Sequence, residues 1–168
     1  MPLIKDGRFV ADDWLRPAAG ETIPAGAKLL LPLDRLTEEG AALAEVGHSL
    51  GAEVSNDTDL ALLDPWMQRL QLVAVAFPKS SDGRGFSMAA RLRRHGYRGE
   101  LRASGHLIAD QYALAKGCGF DSVEISEAQA ARQPEAHWVE AERSMSLAYQ
   151  RGYGGVRNIL SARWASAD

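Results

Sequence analysis

Asp82-Gly83-Arg84-Gly85-Phe86-Ser87 is the densest set of groups in this chain that could do chemistry. Two glycines let the backbone turn freely and approach a ligand closely. Ser87 is placed to open a helix, whose free N–H groups and dipole attract anions. Arg84 can clamp a phosphate, sulfate or carboxylate with two parallel hydrogen bonds. Gly83, Arg84, Gly85 and Ser87 are therefore the candidate anion-binding residues. The phosphate of a flavin mononucleotide is the kind of group they would take. The competing reading is a well-capped turn with Arg84 paired to a neighbouring aspartate.

His106 and Asp110 are the candidates for acid–base work. A histidine between a glycine and a helix start can act as general acid or base, and an aspartate one turn later can orient it. The plain alternative is a surface histidine, with Asp110 and Gln111 bonded to backbone or water. Arg91, Arg93, Arg94 and Arg98 form a basic run. Arg93, Arg94 and Arg98, with Trp164 near the C-terminus, are candidate contacts for a partner. A solvated helix face is the other reading. Arg102 differs, because it falls inside a predicted strand and its charge needs a partner, with Glu100 or Asp110 as candidates. Cys118 lies at a helix C-terminus between two glycines, which disfavours the thiolate and suits a structural role. The sequence holds no GxGxxG, no CxxC and no Cys/His cluster, so there is no metal signature and no dinucleotide fingerprint.

The rest of the chain must position these groups. At 168 residues, with 46% hydrophobic and 24% charged residues, it has the composition of one ordinary globular domain. A net charge of -3 and a pI of about 5.8 speak against non-specific nucleic-acid binding. No apolar run approaches the roughly 20 residues of a membrane helix. The N-terminus lacks a signal-peptide core, and the single cysteine cannot form an internal disulfide, so a cytoplasmic location is expected.

Residues 1–27 read as a short strand or hairpin and a loop, packed on the core. Residues 28–150 read as one α/β domain, and 151–168 as a flexible basic tail. Within the domain, strands are predicted at 29–33, 52–55, 72–77, 100–104 and 122–125. Helices are predicted at 37–50, 57–70 (interrupted or re-started at Pro65), 87–95, 107–116 and 134–150, with Thr37 and Ser87 as caps. Strands alternating with helices imply a mostly parallel sheet. The chain is too short for an eight-fold barrel of about 250 residues. An open, doubly wound, flavodoxin-like sheet is the first choice, and a partial TIM-like barrel the second. Either places ligands at the carboxyl ends of the strands.

One long pattern goes further. Asp82 to Ser87, then Leu92, Arg93, Gly96, Tyr97, Gly99 to Ala103 and Gly105, then Asp110, Gln111 and Cys118 to Asp121, resemble the bacterial family of unknown function DUF934. The N-terminal Asp-Gly and Asp-x-Trp segments are similar too. The chain departs from the pattern at His106, where an acidic residue is expected in many members. The resemblance implies an accessory protein of assimilatory sulfate or sulfite reduction. Such proteins are often labelled probable oxidoreductases, and their genes accompany a sulfite or nitrite reductase haemoprotein. The reductase is thus the expected partner. The alternative is a small oxidoreductase or ligand-binding protein holding a phosphate- or sulfate-bearing molecule, a flavin mononucleotide among them, at Gly83–Ser87.

Overall fold

The computed structural model describes residues 1–153, with side chains through residue 144. Three short strands come first: β1 (Leu3–Lys5), β2 (Arg8–Val10) and β3 (Trp14–Leu15). The apolar runs supply the rest. Leu29 to Leu31 form the centre of β4 (Lys28–Pro32). β5 (Ser49–Val54) and β6 (Leu70–Phe77) follow, and then β7 (Glu100–Gly105) and β8 (Ser122–Glu124). Leu29 to Leu31 and Leu72 to Val75 are all buried, as expected of parallel strands covered on both faces.

The eight strands form one sheet in the order β2-β1-β8-β7-β6-β5-β4-β3. β1 runs antiparallel to β2 and β8, and every other neighbouring pair is parallel. The open, mostly parallel α/β sheet is the one expected, with the N-terminal strands joined to its two edges. Its winding is simpler than the flavodoxin-like order. From β4 to β8 the strands are added in chain order, with no reversal to create a crevice.

The helices are α1 (Leu33–Glu45), α2 (Arg84–Arg94), α3 (Tyr112–Gly117), α4 (Glu127–Arg132) and α5 (Glu135–Tyr153). Short 3-10 turns at Leu60–Trp66 and Ala109–Gln111 join them. Strand alternation assigns the two faces. Leu29, Leu31, Val73, Val75, Leu101, Ala103 and Val123 share one buried cluster with Leu36, Leu63, Leu92, Tyr112 and Trp138 of the helical layer. The residues between them point the other way, where Leu30, Leu72 and Ala74 cluster with Trp14. The sheet curls around this second face, which the N-terminal segment covers, and Arg16 there bonds both β5 and β8.

Several boundaries differ from expectation for local reasons. α1 ends at Glu45, two residues before Gly47, whose φ of 93° turns the chain away, and not just before Gly51. Gly51 lies in β5, and a Cβ there would sit 3.0 Å from the Trp14 ring. Thr37 is inside α1, its hydroxyl donating to the Leu33 carbonyl at 2.8 Å. α2 begins at Arg84, so Ser87 lies in its interior and Gly83 is the cap position. Pro65 restricts its segment to a 3-10 turn capped by Asp59, whose carboxylate accepts from the Ala61 N–H at 3.1 Å. Ser126 caps an extra helix, α4, with its hydroxyl accepting from Gln129 at 3.2 Å. Trp164 and all residues after 153 lie outside the described part.

The N-terminal hairpin is fastened to the helical layer by ion pairs from Asp6 to Lys116 at 3.1 Å and from Arg8 to Glu135 at 3.9 Å, and by one buried hydrogen bond. The Gly7 N–H donates to the Tyr112 hydroxyl at 3.0 Å, and the Tyr112 ring stands edge-on to Trp138 at 5.7 Å. Burial pushes the Tyr112 phenol up to about 12. The folded state therefore prefers the neutral phenol more than the unfolded chain does. The stabilisation is complete below the ordinary phenol value of about 10 and is lost as pH rises from there towards 12. We expect unfolding free energy to fall over that interval in the wild type and to fall less in Tyr112→Phe, as read by urea titrations at stepped pH.

Candidate functional site

The Gly83–Ser87 loop is a braced turn. The Asp82 carboxylate accepts from the Arg84 backbone N–H at 3.2 Å and from its guanidinium at 2.7 and 3.0 Å. Asp57, from the loop after β5, takes the other side of the same guanidinium at 3.3 Å. Arg84 holds the Asp82 carboxyl well below the usual carboxylate range. Gly85 has a packing role, because a Cβ there would come within 2.4 Å of the Phe77 ring. Two carboxylates thus answer one guanidinium, and the loop offers a phosphate no unpaired cation. A flavin phosphate does not fit it on those terms.

The basic run divides into two kinds of arginine. Arg93 is a clamp. Its guanidinium donates to the carbonyls of Gly119 at 3.0 Å, Tyr97 at 3.0 Å and Gly99 at 2.8 Å, and to the Asp121 carboxylate at 2.6 Å. Asp121 also accepts from the Leu101 N–H at 2.8 Å. One side chain thereby ties the end of α2, the turn into β7 and the turn into β8. Gly119 makes room for it: its φ is 104°, and a Cβ there would lie 2.6 Å from Arg93 Cγ. Arg91, Arg94 and Arg98 are the other kind. They are exposed, and none is in an ion pair among the described residues. The one bond of the Arg94 side chain runs to the Ala90 carbonyl of its own helix at 3.4 Å.

His106 and Asp110 follow β7 but are not bonded to each other. His106 lines a cavity of about 290 Å³ with Ser80, Ile108, Gln129, Arg132 and Gln133. Asp110 lines an adjoining one of about 710 Å³, with His137 and Glu140 and the same Ile108, Arg132 and Gln133. Three glutamines fix this region. Gln111 donates to the Ser80 carbonyl at 2.7 Å, Gln129 donates to the Leu107 carbonyl, and Gln133 accepts from the Ala109 N–H at 2.8 Å. Gly105 shapes the corner: with φ at 124°, its missing Cβ would sit 2.5 Å from the Phe77 carbonyl oxygen. The His106 N–H then donates to that oxygen at 2.9 Å. Burial pushes the Cys118 thiol up, in keeping with a structural residue.

A charge network on the other face of the sheet is larger than the sequence revealed. Arg102 is 1% exposed and bonds Asp12 in fork fashion at 2.7 and 3.1 Å. Glu100 and Glu124 each lie 3.4 Å from the same guanidinium. Arg16 reaches Glu124 and Glu53 at 2.6 Å each, and Ser122 donates to Glu100 at 2.6 Å. Glu100 was foreseeable as the neighbour two positions along one strand face. Asp110 is not a partner. Asp12 comes from 90 residues away, and the sequence signal for it was the Asp-x-Trp segment, which carried no role. Among the described residues, no group of three or more His, Cys, Asp or Glu side chains could hold a metal ion, and no helix is long and apolar enough to cross a membrane.

Residues 51–159 match the bacterial protein family of unknown function DUF934, which is more than half of the chain. The chain belongs to that family. No curated protein matches it. Within the matched span, Arg93, Tyr97, Gly99, Gly119 and Asp121 are the parts of one clamp, and Asp82, Arg84 and Gly85 build one turn.

Proposed function

We propose that this protein is an accessory factor of assimilatory sulfate or sulfite reduction that docks on a sulfite or nitrite reductase haemoprotein. The observation that supports it is the unpaired basic end of α2. Arg94 and Arg98 carry guanidinium groups that no carboxylate answers among the described residues, in a chain whose net charge is -3. Exposed arginines of this kind steer and orient an acidic partner surface. The association with the reductase is what family resemblance implies. The anion reading of the Gly83–Ser87 loop has less support, because Arg84 is held by Asp82 and Asp57.

Arg93 cannot serve as a probe of docking, since it is built into the fold. The test is the double substitution Arg94→Glu and Arg98→Glu. We expect it to abolish co-purification with the reductase while leaving the melting temperature within a few degrees of wild type. Full recovery of the reductase with the doubly substituted protein would remove this docking surface from consideration.

A further inference from the structure

We propose that the groove at the carboxyl ends of β6, β7 and β8 binds a small phosphate or sulfate ester, with Arg132 as its anion contact. This goes beyond the docking reading and does not depend on it. The groove consists of the two adjoining cavities, of about 290 and 710 Å³, that share Ile108, Arg132 and Gln133. Ser80 comes from the loop after β6, His106 from the loop after β7, and Arg132 from the helix after β8. That is the end of a parallel sheet where short loops from several strands converge on a ligand.

The lining of the smaller cavity gives the sign of the ligand. It contains an arginine and a histidine and no carboxylate. Among the described residues the Arg132 guanidinium has one hydrogen bond, from Nε to the Ala128 carbonyl at 3.3 Å, so both terminal nitrogens remain to form a fork. Gln133 accepts from the Ala109 N–H through its amide oxygen at 2.8 Å, which leaves its amide nitrogen as a further donor. An oxyanion is the ligand that an arginine and an amide donor with no carboxylate beside them select. The larger cavity differs. Asp110 and Glu140 supply acceptors beside Ala109 and Ala113, which suits an organic body that carries hydroxyl or amino donors. Together they describe an ester whose anionic head lies at Arg132 and whose polar body lies against Asp110. The Gly83–Ser87 loop, with its arginine neutralised, is not this site.

The test is isothermal titration of the full-length protein with adenosine 5′-monophosphate, inorganic phosphate and inorganic sulfate in separate runs. We expect the nucleotide to bind more tightly than either free anion. Comparison of the two anions tells whether phosphate or sulfate is the preferred head. Arg132→Gln, on an exposed helix face, should weaken the nucleotide at least about tenfold, the worth of one charge-assisted contact. Arg84→Gln should leave binding unchanged. No detectable binding by any probe, or equal affinity in Arg132→Gln, overturns the proposal. So does a loss of binding in Arg84→Gln with Arg132→Gln unaffected.

Discussion

Arg102→Met is expected to lower the unfolding free energy by about 3–5 kcal/mol, because it removes one partner of a buried pair and leaves the other uncompensated. Glu124 is 1% exposed on the side-chain scale, and Asp12 is tied to Arg102 by both carboxylate oxygens. Arg16 retains one oxygen of Glu124, so the network is damaged and not erased. In a chain of this size the loss corresponds to roughly 10 °C in melting temperature. The pairing account makes a second demand. Asp12→Asn introduced on top of Arg102→Met should restore part of the stability, since it discharges the carboxylate that lost both of its bonds to Arg102. Thermal and urea unfolding of the wild type and the two variants decide it. A loss below about 1 kcal/mol for Arg102→Met, the range of an exposed ion pair, would mean that the network contributes nothing beyond surface charge.

Arg93→Ala carries the next largest expected effect, about 2–4 kcal/mol. Each hydrogen bond from a charged donor is worth about 1.5–3 kcal/mol when its partner is buried. The total is held down because the Arg93 side chain remains 26% exposed and Asp121 43% exposed. Arg93→Lys separates geometry from charge. A lysine keeps the attraction to Asp121 but presents its donors from a single point, so it cannot reach three carbonyls and a carboxylate at once. We expect Arg93→Lys to recover less than half of the loss in urea unfolding. Near-complete recovery by lysine would show that the ion pair alone matters and that the three carbonyl contacts are incidental. The Ala103 and Val123 amides of β7 and β8 should also exchange faster in Arg93→Ala, since the clamp closes the turns that lead into both strands.

The sheet was legible because apolar runs such as LVAVAF and Leu29–Leu31 have no other use in a chain of this length. The winding was not, because strand order depends on which side the helices pack and the pattern of a fully buried strand is the same on both faces. α1 was placed four to five residues too far along the chain, since Thr37 is a plausible start and Gly47 and Gly51 are both plausible stops. Only the structure shows that one turns the chain and the other accommodates Trp14. Arg102 announced its need for a partner from its place in a strand, and Glu100 was within reach of that argument. Asp12 and Arg16 were not, because contacts across 90 residues leave no trace in local spacing. The arginines between residues 84 and 98 were visible in the sequence. Their division into a clamp, a braced turn and a free surface required the hydrogen bonds of each. Arg132, the arginine of the proposed ester site, lies in a helix that the sequence reading left out.

The docking claim is tested most directly by titrating the purified protein into the purified sulfite reductase haemoprotein at low and at high ionic strength. The account predicts a complex at low salt that weakens as salt screens the exposed charges. It also predicts that Arg94→Glu with Arg98→Glu weakens the low-salt complex at least about tenfold, the loss of one or two charge-assisted contacts. Absence of a complex at either salt concentration would contradict the account. So would a complex that responds neither to salt nor to the two substitutions.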